Sequence, residues 1–305
     1  MNSDFRAGYV TIIGDPNVGK STLMNTLLQQ KISIVTNKPQ TTRHRILGIL
    51  SGEGHQAVFL DTPGIIKPRY LLQEVMMQFA SSAIADADLL LFMIDAQEPR
   101  IGGDLTHEEA FKRLGGRQAP VFLVVNKIDK VEKGSLLPII DFYARAFSFK
   151  EVFPTSALDG NGTDALLKAI IRELPIHPPY YPLDIASELP ERFFVAEMIR
   201  EKIFLKTHEE IPYSTTVDVI EFKERERGKW FISADVYVER NSQKGILIGK
   251  GGMLLKEIGR LSRQEIERFL GHGVFLELHV KVHEGWREKE EWLNRLGYGG
   301  SGGTR

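Results

Sequence analysis

The sequence predicts an α/β domain with a mostly parallel sheet, followed by a smaller α+β domain. Three observations predict this arrangement. Short apolar runs alternate with helical segments in the first half, a proline cluster follows near residue 175, and the order of elements changes beyond it. A chain of 305 residues is long enough for two such domains.

Five short apolar runs in the first half predict strands, at 9–13, 58–60, 89–94, 121–126 and 152–155. Segments with helical spacing separate them, at 20–28, 71–84, 108–114, 136–146 and 164–174. This alternation is typical of a parallel sheet covered by helices on both faces. Residues 45–50 and 56–60 instead flank a Gly52-Glu53-Gly54 turn, so we expect one antiparallel edge strand.

Four prolines, at 175, 178, 179 and 182, predict a stiff spacer between the domains. We therefore place the first domain at 1–174, the linker at 175–190 and the second domain at 191–298. The tail 299–305, with the sequence GGSGGTR, is typical of a flexible linker or a cloning remnant.

The second domain has the order α-β-β-α-α-β. Its helices are predicted at 192–206, 242–248 and 253–270, and its strands at 215–222, 230–238 and 274–282. Tryptophans in this part of the chain are expected to pack in the core.

Composition excludes several classes of protein. The absence of cysteine excludes a disulfide framework, a thiolate zinc site and a cysteine nucleophile. The net charge of −1 gives no overall field for nucleic acid, so such binding requires a local patch, and we expect no DNA partner. The longest apolar runs are far shorter than a membrane helix, and the N-terminus lacks an apolar signal core. We expect a soluble, cytoplasmic monomer.

A phosphate-binding loop is predicted between the first strand and the first helix. The segment from Gly14 to Ser21 matches G-x-x-x-x-G-K-[ST] in the strand–loop–helix context that this motif requires. Lys20 would reach the β- and γ-phosphates, and the Ser21 hydroxyl would bind Mg²⁺. We assign nucleotide contacts to nine consecutive residues, Gly14, Asp15, Pro16, Asn17, Val18, Gly19, Lys20, Ser21 and Thr22.

Two further segments point to the metal ion and the γ-phosphate. Asp61, Thr62, Pro63 and Gly64 follow another strand, where the aspartate would hold Mg²⁺ and the Gly64 N–H would sense the γ-phosphate. In the segment 40–43, a threonine hydroxyl would complete the Mg²⁺ coordination. We favour Thr42 over Thr41 as this ligand, and the sequence alone does not decide between them. The predicted metal ligands are Ser21, Thr42 and Asp61.

The base is predicted to be guanine. Asp129 can accept the paired N1–H and 2-amino hydrogen bonds that guanine presents and adenine does not. Asn126 would brace the loop, and the Lys127 stem would cover the base. A backbone N–H of the segment containing Ser156 and Ala157 would meet guanine O6.

This half of the chain resembles the Ras-like P-loop GTPases, particularly their bacterial translation-factor-related branch. That resemblance implies GTP hydrolysis through Lys20, Thr42 and Gly64. Ile65 stands where Ras-type proteins carry the water-orienting glutamine, so we expect slow intrinsic hydrolysis. In relatives with this replacement, an asparagine at the position of Asn17 can hold K⁺ against the phosphates. We carry this over as a hypothesis.

The second domain carries a G-x-x-G loop between two helices, at Gly249, Lys250, Gly251 and Gly252. With the surrounding order of elements, it resembles a type II KH domain, which clamps single-stranded nucleic acid. Six basic residues and one acidic residue between 240 and 263 give this part of the chain a charge of +5. We assign RNA contacts to the four loop residues and to Ile248, Lys244 and Lys256.

A P-loop GTPase domain followed by a KH domain resembles the bacterial ribosome-assembly GTPases. That resemblance implies binding of GTP and GDP, of 16S rRNA near its 3′ end and of the small (30S) ribosomal subunit. It also implies a role in 16S rRNA processing and, in some bacteria, peripheral contact with the inner membrane. An alternative is an RNA chaperone that senses GTP without meaningful turnover. An RNA-modifying GTPase is disfavoured because the chain shows no modifying domain and no cysteine.

Overall fold

A computed structural model describes residues 4–103, 105, 108–115 and 119–299. The chain divides into two compact units, residues up to 69 together with 73–188, and residues 70–72 together with those from 189 onward. The predicted tail lies, from residue 300, outside the described residues.

The first unit is built on a six-stranded sheet in the order β2-β3-β1-β4-β5-β6. All neighbouring strands are parallel except β2 and β3, so the predicted fold class with one antiparallel edge strand is confirmed. The strands are β1 (Arg6–Gly14), β2 (Ile46–Gly52), β3 (His55–Asp61), β4 (Leu89–Asp95), β5 (Val121–Asn126) and β6 (Glu151–Pro154). The helices are α1 (Lys20–Leu28), α2 (Leu71–Ala85), α3 (Glu109–Lys112), α4 (Leu136–Ala146) and α5 (Thr163–Glu173).

The central strands bring the predicted motifs to one edge of the sheet. β4 and β5 are apolar and buried along almost their whole length, as expected for strands covered on both faces. β1, β3, β4 and β5 end at Gly14, Asp61, Asp95 and Asn126 respectively. In parallel strands these carboxyl ends lie together, so the loops that follow them can form one site.

The segment 175–188, here named the strap, packs against the first unit instead of forming a free spacer. The fully buried Gln56 of β3 donates from Nε2 to Tyr181 O (2.9 Å), and its Oε1 accepts the N–H groups of Tyr180 (2.8 Å) and Tyr181 (3.0 Å). Further bonds run from Ser187 Oγ to Leu47 O and from Ile49 N–H to Ala186 O. A buried side-chain amide has to be paired, and the strap provides the partners.

The second unit contains a three-stranded sheet in the order β7-β8-β9. β7 and β8 are antiparallel, whereas β8 and β9 are parallel. The strands are β7 (Thr216–Lys223), β8 (Trp230–Val238) and β9 (Val274–Val282). The helices are α6 (Glu191–Lys206), α7 (Ile211–Ser214), α8 (Asn241–Ile248), α9 (Met253–Leu270) and α10 (Glu290–Arg295).

Two short helices of the second unit, α7 and α10, were not predicted from the sequence. With four and six residues, both are too short to show a helical period. Their place is set by tertiary contacts instead. Fully buried Trp286 donates from its indole N–H to Ser214 O (2.9 Å), and the Trp292 ring lies 5.1 Å from that of Tyr237. The prediction that tryptophans pack in the core is confirmed for Trp286.

No helix among the described residues is long and apolar enough to cross a membrane.

Candidate functional site

A cavity of about 590 Å³ opens in the first unit, next to the loop that follows β1. Its lining includes the predicted phosphate-loop residues 15–22, Thr62, Gly64 and Lys127. The residues assigned to the base beyond Lys127, namely Asp129, Ser156 and Ala157, lie outside this lining. Thr41 and Thr42 line it from the segment that precedes β2.

The phosphate loop turns tightly because glycine stands at two positions where no side chain fits. A Cβ at Gly14 (φ +153°) would lie 2.3 Å from Met93 O. A Cβ at Gly19 (φ +101°) would lie 2.4 Å from Asn126 Nδ2. α1 begins directly after Gly19, so the N–H groups of its first turn end at the loop, the arrangement that binds phosphate in other proteins.

Lys20 is buried and curls back over this loop. Its Nζ donates to Gly14 O (3.2 Å) and to Asp15 O (2.7 Å). Burial lowers the pKa of Lys20 to about 8, although the nearby carboxylates of Asp61 and Asp15 act in the opposite direction. The ammonium group is therefore aimed at the place where the phosphates of a nucleotide would lie, and part of its charge is lost above pH 8.

Oxygen atoms from three separate segments, the first turn of α1, the loop before β2 and the end of β3, meet at the predicted metal position. Ser21 Oγ donates to Asp61 Oδ2 (2.6 Å) and lies 2.9 Å from Thr42 Oγ1, which is itself 3.4 Å from Asp61 Oδ2. Asp61 is fully buried, which raises its pKa, and its Oδ1 has no hydrogen-bond partner among the described residues. Two hydroxyls beside an unsatisfied carboxylate oxygen fit the hard oxygen ligands that Mg²⁺ prefers.

The structure brings Thr42, and not Thr41, to this position. Thr41 Oγ1 donates to Lys38 O (2.8 Å) and lies 2.5 Å from Thr36 Oγ1. Its hydroxyl is thus used within its own loop.

Gly64 lies directly against the phosphate loop. A Cβ at this position would come within 2.8 Å of the N and Cα atoms of Pro16. The next residue, Ile65, is buried and donates its N–H to Gly14 O (3.2 Å). Because its side chain is apolar, Ile65 cannot orient a water molecule, as the sequence indicated.

Asn126 joins the phosphate loop to the segment predicted to contact the base. Its Nδ2 donates to Val18 O (2.8 Å), and its Oδ1 accepts the Ala157 N–H (2.9 Å) and the Thr155 hydroxyl (3.3 Å). Lys127, with a left-handed backbone (φ 63°), places its Nζ 2.5 Å from Asp95 Oδ2. The predicted bracing role of Asn126 thus has a geometric basis.

Asp129 is exposed, and hydrogen bonding from the Ser156 side chain holds the pKa of its carboxyl below the usual range. The carboxylate is therefore ionised at neutral pH and able to accept hydrogen bonds. The Ser156 N–H donates to Asn161 O (2.9 Å). The Ala157 N–H donates to Asn126 Oδ1, so the backbone N–H groups of Ser156 and Ala157 both have protein partners.

One charged cluster at the site was not predicted. Arg100, in the loop after β4, donates from Nη2 to Asp15 Oδ2 (2.8 Å) and from Nη1 to Glu108 Oε2. Burial raises the pKa of Asp15, while the Arg100 charge lowers it. Because Asp15 and Arg100 are 85 residues apart, no local pattern in the sequence could have paired them. Another predicted residue, Asn17 (φ 66°), donates from Nδ2 to Asn37 O (3.1 Å).

The G-x-x-G segment forms an open loop between α8 and α9. Gly249, Gly251 and Gly252 all have positive φ, of 72°, 60° and 78°. A Cβ at Gly249 would lie 2.9 Å from Leu254 Cβ, whereas at Gly251 and Gly252 it would meet nothing within 4 Å. The loop therefore presents bare backbone to the surface, which allows the close approach of a phosphate.

The remaining predicted RNA-binding residues flank this loop. Lys256 is exposed, as is Lys250 within the loop, and Lys244 and Ile248 are partly exposed. They supply positive charge and one apolar side chain beside the exposed glycines.

Comparisons with known proteins find matches to both halves of the chain. The family described as 50S ribosome-binding GTPase matches residues 9–127, and the KH domain family matches residues 210–287. GTPase Era of Geobacter metallireducens is 50% identical over 299 residues, covering 97% of this chain and 99% of the relative. GTPase Era of Geotalea uraniireducens is 49% identical over 294 residues, covering 96% of this chain and 98% of the relative.

Solved structures match over nearly the same length. A crystal structure of an Aquifex aeolicus Era variant bound to GDP·AlF4⁻ has a TM-score of 0.90 and 42% identity, covering 96% of this chain and 99% of that one. Era in complex with MgGDPNP and nucleotides 1506–1542 of 16S ribosomal RNA has the same TM-score and coverage, with 41% identity. Full-length identity at this level, together with the two domain families in order, shows that the chain belongs to the Era GTPases.

Proposed function

We propose that this protein is a GTPase that binds 16S rRNA near its 3′ end and acts as a nucleotide-controlled switch in assembly of the small ribosomal subunit. The observation that carries the GTPase assignment is the meeting of Ser21, Thr42 and Asp61 beside the phosphate loop. The assignment of 16S rRNA and of the small ribosomal subunit as partners rests on membership of the Era family.

The nucleotide is held at its two ends. Lys20 and the N-terminus of α1 bind the β- and γ-phosphates, and the ionised carboxylate of Asp129 accepts the N1–H and 2-amino hydrogen bonds of guanine. The Lys127 stem covers the base. Asn126, one of the residues predicted to bind the nucleotide, also holds the two ends at a fixed separation.

Ser21 and Thr42 would ligate Mg²⁺ directly, and Asp61 would hold it through water. When bound, Mg²⁺ neutralises charge that develops on the transferred phosphoryl group. Thr42 belongs to the segment before β2 and Gly64 to the segment after β3. Both would close on the γ-phosphate, Gly64 through its N–H group.

Intrinsic hydrolysis should be slow because buried Ile65 cannot position water. Asn17 is the candidate ligand for an activating K⁺. Its Nδ2 donates to Asn37 O, so its Oδ1 is the atom that a cation would use. Equal hydrolysis rates in K⁺ and Na⁺ would remove this role.

The open loop of the second unit would clamp the backbone of single-stranded RNA. Gly251 and Gly252 allow close approach, and Lys244, Lys250 and Lys256 supply charge to the phosphates. A solved relative binds MgGDPNP together with nucleotides 1506–1542 of 16S ribosomal RNA, which supports the same RNA partner here. We place the protein in the cytoplasm, with the family's peripheral contact with the inner membrane as a further expectation.

The deciding experiment is single-turnover GTP hydrolysis in K⁺, with and without a short RNA copying the 3′ end of 16S rRNA. We expect RNA to accelerate hydrolysis and Gly251→Asp to abolish that acceleration, because coupling requires RNA to prefer one nucleotide state. Tight RNA binding with no change in rate would instead favour the alternative, an RNA chaperone that senses GTP. Buried Ile65 keeps that alternative open.

A further inference from the structure

A buried glutamine at the start of α2 joins the two segments that would close on the γ-phosphate. Gln73 is only 5% exposed. Its Nε2 donates to Gln40 Oε1 (3.0 Å), and its Oε1 accepts the Arg69 N–H (2.8 Å). One side chain therefore pairs with both segments at once.

The two partners of Gln73 stand close to the proposed ligands. Gln40 precedes Thr42 by two residues, and Arg69 follows Gly64 by five. Gln40 also has a left-handed backbone (φ 58°), a conformation that is unfavourable for a residue other than glycine. Such a conformation persists only where surrounding contacts fix it, and the bond to Gln73 is one such contact.

The glutamine pair lies at the nucleotide site rather than at a remote surface. Gln40 lines the cavity beside the phosphate loop. Gln40 and Gln73 together line a second cavity of about 790 Å³, which also contains Asp15, Pro16 and Ile65. Gln40 thus borders the predicted nucleotide site together with Thr42 and Gly64, and Gln73 borders the neighbouring cavity.

We propose that Gln73 is a positioning residue that holds Thr42 in its metal-binding place through Gln40, and that it thereby favours GTP over GDP. This inference rests on the proposed GTPase function. Only GTP carries the γ-phosphate on which both segments close, so only GTP gains from having them joined before it binds. Gln73 contacts no nucleotide atom in this scheme and acts on Thr42 through Gln40.

The test compares Gln40→Met, Gln73→Met and the double variant, each in the full-length protein with Mg²⁺. Affinities are measured for a non-hydrolysable GTP analogue and for GDP by fluorescence titration. We expect Gln40→Met to weaken analogue binding about fivefold, the effect of one neutral hydrogen bond, and Gln73→Met to weaken it by at least as much. GDP binding should change less than twofold in both variants. The double variant should equal Gln73→Met, because Gln73→Met already removes the bond that Gln40→Met removes, together with the bond from the Arg69 N–H.

The chain offers a matched control and a safeguard. Gln78→Met changes an exposed glutamine on the same helix and should leave both affinities unchanged. Gln40 is only partly buried in a loop, so Gln40→Met tests the inference even where Gln73→Met impairs folding.

Two results would overturn the inference. An equal loss of GDP and analogue affinity would mean that Gln73 serves only the stability of the unit, and effects that multiply in the double variant would mean that the two glutamines act separately. Failure of the unaltered protein to bind either nucleotide would instead contradict the proposed GTPase function, so the two failures are distinguishable.

Discussion

The nucleotide site and the RNA loop are built in different ways. In the first unit, buried and partly buried polar side chains from separate segments pair with one another, as Ser21, Thr42 and Asp61 do. In the second unit, the loop at 249–252 is a local backbone shape, and nothing packs where side chains of Gly251 and Gly252 would stand. The first site should therefore be sensitive to distant substitutions, and the second to changes within the loop and at the residues that flank it.

The largest expected effect comes from removing the amide that joins the two ends of the nucleotide site. Asn126→Ala leaves Val18 O and the Ala157 N–H buried and unpaired. We expect a loss of about 4 kcal/mol in unfolding free energy, since each unpaired buried group costs about 1–3 kcal/mol. GDP affinity should fall by at least ~100-fold, measured by calorimetry.

Asn161→Ala is the matched control for that change. Asn161 is exposed and pairs with Ser156 only through its backbone oxygen. Asn161→Ala should change neither the free energy of unfolding nor the GDP affinity. If Asn126→Ala behaved like this control, the nucleotide site would not depend on contacts between separate segments, and its difference from the RNA loop would disappear.

A second test concerns the strap. Gln56→Leu keeps the volume of the side chain and leaves the Tyr180 and Tyr181 N–H groups and the Tyr181 carbonyl without their partner. Hydrogen exchange of those two amides should accelerate ~100-fold, which corresponds to about 3 kcal/mol of lost protection. Gln30→Leu, an exposed glutamine, serves as the control. Unchanged exchange would show that the strap is held by other contacts.

The RNA loop should respond to a change that leaves folding intact. Gly251→Asp places a negative charge on the exposed loop and costs about 1 kcal/mol for its left-handed backbone. RNA affinity should fall ~30-fold by fluorescence anisotropy, with GDP affinity unchanged. Gly271→Asp makes the same change at another open glycine of positive φ, at the C-terminal end of α9. An equal loss of RNA affinity in Gly251→Asp and Gly271→Asp would argue against a specific contact between RNA and the loop.

The smallest effect is a pH dependence of nucleotide binding. Burial lowers the pKa of Lys20 to about 8, and bound phosphates would raise it, so binding takes up a proton above that pH. GDP affinity should be independent of this group below pH 7 and should fall by up to tenfold per unit above pH 8. Calorimetry in buffers of different ionisation enthalpy measures the uptake. In Lys20→Arg the slope should disappear, because guanidinium stays charged.

The sequence predicted those parts of the molecule whose structure is determined by residues close together in the chain. The strand–loop–helix context of Gly14 and Lys20 and the hairpin before β3 are of this kind. Thr42 Oγ1 lies 2.9 Å from Ser21 Oγ, whereas Thr41 Oγ1 donates within its own loop, so Thr42 stays the preferred prediction for the Mg²⁺ ligand. The domain boundaries and the roles of individual site residues remain predictions.

The parts that were not predicted depend on partners far apart in the chain. Asp15 meets Arg100 across 85 residues, and Gln56 meets Tyr181 across 125. The prolines of the strap correctly indicated a non-helical segment, but they contain no information about the buried amide that holds it. Local patterns give the elements, whereas burial decides which polar groups pair.

The position of Asn126 has a consequence for the affinity of the nucleotide as a whole. With the base end and the phosphate end held at one separation, guanosine and pyrophosphate offered as separate molecules would each lose their own translational freedom on binding. GDP loses that freedom once. The association constant of GDP should therefore equal the product of the association constants of its two halves, multiplied by an effective concentration. A looser connection between the two loops would lower that effective concentration.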